Sequence, residues 1–172
     1  MKNVQDIYPA TPMQELMLLL ANGQRHSDRL LSQFGFEVRG DVDVRALEHA
    51  WNAVVARHPM LRTAFVTRKV PSPLQVVRQR ASVPFVVHDW RDADDLETRF
   101  ARLRSDDRHE GVDTQRAPLM RVTLVRTDDD RWRLLWTSHH LLMDRWCLAP
   151  LFDDLERAYD AARDTGTEPQ LP

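Results

Sequence analysis

The chain has a single cysteine, Cys147, among 172 residues. An internal disulfide and a cysteine-based zinc site are both excluded, and a reducing cytoplasm is the expected location. An excess of one charge is missing too. With 24 Lys and Arg against 26 Asp and Glu, the formal net charge is -2. These charges are spread along the sequence and give no electrostatic footprint for nucleic acid or an anionic membrane. No apolar run approaches the ~20 residues that cross a bilayer, and the N-terminus does not follow the plan of a signal peptide. Internal repeats and low-complexity blocks are absent. A chain of this length buries roughly 70% of its unfolded surface, which suits one domain with a core of its own.

What is present is a succession of short periodic segments. In "YPATPMQELMLLL" Thr11 can cap a helix with Pro12 at its first position, and Met13, Leu16, Met17 and Leu20 recur at helical spacing, predicting an inward face. Phe34, Phe36 and Val38 alternate in a strand closed by Gly40. Next comes the sharpest helical stripe, Val44, Leu47, Trp51, Val54 and Val55, with Arg45, Glu48, Asn52 and Arg57 opposite and Pro59 ending it. "LRTAFV" and "LQVVRQ" are short strands around a Pro/Ser turn, "FVVHDW" is a third, and a charged helix with Leu96, Phe100 and Leu103 inward follows. Met120, Val122 and Leu124, then Trp132, Leu134 and Trp136, alternate on either side of "TDDD", the signature of a hairpin. A last helix opens at Asp144 and carries Leu148, Leu151, Phe152, Leu155 and Tyr159 on one stripe. The pattern predicts an α/β (α+β) domain, a mixed sheet of hairpins and helical crossovers with helices on one face.

The residues richest in chemistry stand at the end of the second hairpin strand, in "TSHHLLMDRW". Successive side chains of a strand point to opposite faces, so His139 and His140 do not share one cleft, and one metal held by both is disfavoured. No further ligand at metal-binding spacing is offered, so no metal is expected. The functional reading puts one imidazole in a cleft, where it can accept or position a proton near neutral pH, and buries the other at the strand end. The plain alternative is a pair of hydrogen-bonded strand-end histidines, with Asp144 as a helix cap worth about 1 kcal/mol. Cys147, near the start of the same helix, is expected to pack in the core.

Three stretches together resemble one family, the condensation domains of non-ribosomal peptide synthetases. "YPATPMQELMLLL" looks like their opening motif, "RHPMLRTAF" is close to their second, and "SHHLLMDRWC" matches the HHxxxDG signature except at Arg145, where the family has glycine. Order and spacing agree across residues 8 to 147. The resemblance implies a chloramphenicol-acetyltransferase-like fold, with residues 1–172 as the N-terminal, donor-side lobe of a two-lobed domain whose C-terminal lobe is absent from this chain. It implies peptide-bond formation between thioesters carried on the phosphopantetheine arms of upstream and downstream peptidyl carrier proteins, with no cofactor bound to the lobe and no activity without the second lobe. By position, His140 is the catalytic residue, as general base or as the group that positions the amine. His139 and Asp144 are structural members of the motif, and Arg62 is the partner of Asp144. Arg145 becomes a candidate for lining or gating the substrate tunnel. The resemblance leaves three alternatives: an epimerisation domain, another acyltransferase of the superfamily, or a non-catalytic module that binds a carrier protein or another partner.

Overall fold

The computed structural model of the chain describes residues 3–22 and 30–171. The first strand, β1 (Asp6–Pro9), leads into α1 (Pro12–Asn22). Thr11 and Gln14 cap that helix reciprocally: Thr11 Oγ1 accepts from the Gln14 N–H at 3.3 Å, and Gln14 Oε1 accepts from the Thr11 N–H at 2.9 Å. Pro12 occupies the first helical position, as its missing N–H and fixed φ favour. The buried face of α1 differs from the expected one. Leu18 is buried and Met17 half-buried, whereas Met13, Leu16, Leu19 and Leu20 are exposed. Five apolar residues in a row, 16–20, fit more than one helical stripe, so periodicity did not single out the face that packs.

The strand β2 (Leu31–Arg39) precedes α2 (Val44–Arg57), which Asp43 caps by accepting from the Ala46 N–H at 2.9 Å. After a 3-10 turn at Pro59–Arg62 come β3 (Thr63–Val66), β4 (Leu74–Val77) and β5 (Phe85–Asp89). The helix α3 (Leu96–Glu110), the hairpin β6 (Met120–Arg126) and β7 (Arg131–His139), and α4 (Leu148–Thr165) complete the described elements. Gly166 ends α4 with a φ of 67°, the left-handed conformation glycine adopts without a Cβ penalty.

Two sheets form. A small antiparallel one has the order β1-β4-β3, and a mixed one has the order β2-β7-β6-β5, in which only β5 runs parallel to its neighbour. β1 was not anticipated. Its "DIYP" is exposed on all four residues and lacks the alternation that marks a half-buried strand; the ladder to β4 makes it one.

Alternation assigns the two faces of the mixed sheet. Phe34, Val122, Leu134 and Trp136 face the core built with α2, α4 and the small sheet, where Trp136 packs on Phe34, Trp51 and Phe152 at centroid distances of 5.1, 5.4 and 5.7 Å. The opposite face carries Gln33, Arg121 and Thr137, all bound to the buried carboxylate of Asp107 on α3. Helices therefore cover both faces, not one as periodicity alone implied. α3 was assigned correctly as a helix, and Leu96, Phe100 and Leu103 are half-buried on its inward side as expected, but its deepest anchor, the buried Asp107, is polar and carries no apolar signature.

Candidate active site at the end of the second hairpin strand

The pleat separates the two histidines as their adjacency in a strand requires. His139, the last residue of β7, is fully buried. Its Nδ1 accepts the Leu141 N–H at 3.1 Å, so the ring proton resides on Nε2, which is buried with no hydrogen-bond partner. Burial, and secondarily the charge of His140 beside it, lower the His139 pKa to about 4, keeping the ring neutral at physiological pH. A neutral, inward-facing imidazole is a strand anchor.

His140 is exposed, just past the ladder, where the chain turns back through a Leu142 N–H bond to the His139 carbonyl at 3.0 Å. Its backbone N–H donates to the Leu30 carbonyl at 2.8 Å, and its Nε2 lies 3.1 Å from Ser32 Oγ on β2. The ring lines a cavity of about 420 Å³ with Ser32, Phe34, Met143, Arg145 and Leu148. One imidazole in a cleft and one in the core is the arrangement expected from the sequence. Ser32 was not anticipated: a single serine in a strand carries no pattern, and its relation to His140 appears only through the β2–β7 pairing.

Asp144 is exposed and caps the 3-10 turn Arg145–Cys147, accepting the Trp146 N–H at 2.9 Å. It lies at the rim of the His140 cavity. Arg62 is not its partner in this structure. Buried after α2, Arg62 donates from Nε to the Val55 carbonyl at 3.2 Å and from Nη1 to Gln5 Oε1 at 2.9 Å and to the Arg78 carbonyl. Its guanidinium is thus taken up by neutral oxygens that tie β1 and the end of β4 to α2, and its burial lowers its pKa. The expected buried ion pair is replaced by a staple on one side and a turn cap on the other. The other basic residue of that motif, Arg57, pairs with Asp154 of α4 at 2.9 Å, and His58 reaches the same carboxylate oxygen at 2.9 Å.

Arg145 is exposed, lines the His140 cavity, and has no ion pair or side-chain hydrogen bond among the described residues. Cys147 is exposed rather than packed in the core, because the 3-10 turn carries it to the surface before the stripe of α4 begins at Leu148. Among the described residues no group of three or more His, Cys, Asp or Glu could hold a metal ion.

The family model described as Condensation domain matches residues 4–172. The chain belongs to the condensation-domain family. This condensation-domain chain is 37% identical over 160 residues to bacitracin synthase 3 of Bacillus licheniformis, an alignment covering 93% of the chain and 2% of that protein. To tyrocidine synthase 2 of Brevibacillus parabrevis it is 34% identical over 160 residues, covering 92% of the chain and 4% of the relative. The chain thus spans a few per cent of the length of these synthases. Its fold matches the starter condensation domain of rhizomide synthetase with a TM-score of 0.84 at 18% identity, over 96% of the chain and 41% of that structure. It also matches a cyclization-docking bidomain from Sorangium cellulosum, with a TM-score of 0.74 at 28% identity over 96% of the chain and 32% of that structure. The chloramphenicol-acetyltransferase-like α+β fold expected from the three motifs is the fold of the chain.

Proposed function

We propose that residues 1–172 are the N-terminal, donor-side lobe of a condensation domain that joins two thioesters carried on the phosphopantetheine arms of peptidyl carrier proteins in the cytoplasm, with His140 as the catalytic residue. The observation that carries this reading is the contrast within the pair: His139 is buried, neutral and bonded through Nδ1, whereas His140 lines an open cavity beside Arg145. The acceptor amine attacks the donor thioester carbon, a C–N bond forms, and the C–S bond breaks. The proton shed by the amine passes to the leaving thiolate, and an imidazole at the cavity wall can carry it or hold the amine in line for attack. The lobe contributes one wall of the site, so activity is expected from the two-lobed domain and not from this lobe alone.

Carrier-loaded donor and acceptor substrates assayed with the two-lobed domain test the assignment. His140→Ala is expected to cut amide formation by at least ~100-fold, the scale of losing a positioned acid-base group, with the melting temperature unchanged because the side chain is exposed. Wild-type rates in that variant refute the assignment and favour the non-catalytic carrier-binding reading.

Arg145 gives the site its individual character. A guanidinium with no partner among the described residues, at the wall of the His140 cavity, suits a substrate bearing a carboxylate or other acidic group. Arg145→Gly is expected to leave folding intact and to lower kcat/KM for acidic substrates about tenfold relative to neutral ones, the scale of one charge-assisted hydrogen bond. Equal preferences in the two versions place no selective role on Arg145.

A further inference from the structure

We infer that Ser32 is a positioning residue for His140, a role resting on the reading of His140 as catalytic. His140 lies past the last ladder pair of β7, where an exposed histidine would sample several rotamers. Two contacts from the start of β2 remove that freedom. The Leu30 carbonyl holds the backbone N–H at 2.8 Å, and the Ser32 hydroxyl stands 3.1 Å from Nε2. Register fixes the hydroxyl in turn, because Ser32 pairs with Ser138 and projects on the same face as Phe34, into the cavity that His140 lines.

The pairing is not forced by burial. Ser32 is half-buried and His140 exposed, so either could be solvated without an orphaned polar group. What the contact adds is direction: Nε2 is held toward the cavity. A hydroxyl is suited to both states of the ring. It donates to an unprotonated Nε2 and, by rotating, accepts from a protonated one. Ser32 therefore favours the Nδ1–H tautomer before proton transfer and supports the imidazolium after it, while no covalent bond to Ser32 forms.

The test uses the two-lobed domain with loaded carrier proteins and compares wild type with Ser32→Ala, Ser32→Thr and His140→Ala. The expected result is a kcat about tenfold lower in Ser32→Ala, the scale of one lost positioning hydrogen bond. KM should stay within about twofold, because Ser32 orients the histidine and does not bind substrate. The kcat–pH profile should shift, Ser32→Thr should restore rate and profile, and 15N signals of the His140 ring should report a changed tautomer balance in Ser32→Ala alone. Circular dichroism establishes that each variant is folded. Wild-type kcat, profile and ring signals in Ser32→Ala beside an inactive His140→Ala overturn the role of Ser32 and leave His140 standing. An active His140→Ala overturns the catalytic reading and this inference with it.

Discussion

His139 shows how one buried ring links the fold to acidity. Its folded-state pKa of about 4 lies below the ordinary histidine value of 6.5, chiefly because burial penalises the charged form. The unfolded chain takes up this proton near pH 6.5, whereas the folded chain resists it until near pH 4. The stability from keeping the ring neutral is therefore fully present above pH 6.5 and is lost as the pH falls toward 4. The gap corresponds to roughly 3 kcal/mol at its fullest. His139→Asn removes the titration and retains an acceptor near the Leu141 N–H. Denaturant unfolding at pH 7, 5.5 and 4.5 should find the variant less stable at pH 7 and the difference from wild type narrowing as the pH falls. A constant difference would mean that His139 does not titrate in this window.

Arg62 and Asp144 act on different elements, and their energetics should be separable. Arg62→Met releases carbonyls at the ends of α2 and β4 and is expected to cost about 2 kcal/mol, within the range for hydrogen bonds to a charged group. Asp144→Ala removes a cap from an exposed turn and should cost about 1 kcal/mol or less. The double variant should equal the sum of the two within about 0.5 kcal/mol, as for sites without a shared contact; a coupling near 3 kcal/mol in thermal or urea unfolding would restore the ion pair. The same contrast explains what the sequence made legible. Strong periodicity located α2, the β6–β7 hairpin and α4, and strand alternation set the two histidines on opposite faces, while only the motif resemblance singled out His140. Partner choice was not legible, since a motif places Arg62 and Asp144 in a chain but not the carbonyls that compete for a guanidinium. β1 was missed because its pairing with β4 spans more than sixty residues, and Ser32 because one hydroxyl gains its meaning from register. The alanine face of α2 was also silent: Ala50 and Ala53 pack on Ala158 of α4, a close approach of two helices that apolar-stripe counting overlooks.

Across the whole molecule, the mixed sheet divides two kinds of chemistry. One face is aromatic and aliphatic, and the other is held to α3 through Asp107, Arg121, Gln33 and Thr137. The His140 cavity opens where β2 begins, β7 ends and the chain passes into the 3-10 turn toward α4, so it draws on two segments about a hundred residues apart in sequence. That turn gives the protein a built-in optical reporter. Of its five tryptophans, Trp51, Trp90, Trp132 and Trp136 are buried, whereas Trp146 is 88% exposed, immediately after Arg145. The four buried indoles are shielded from a soluble quencher, so acrylamide should selectively extinguish a red-shifted component of the emission. That component belongs to Trp146 and should disappear in Trp146→Phe. Because the fluorophore sits on the turn at the cavity rim, loss of its quenching when a loaded carrier protein is added would follow docking in real time, without an attached dye.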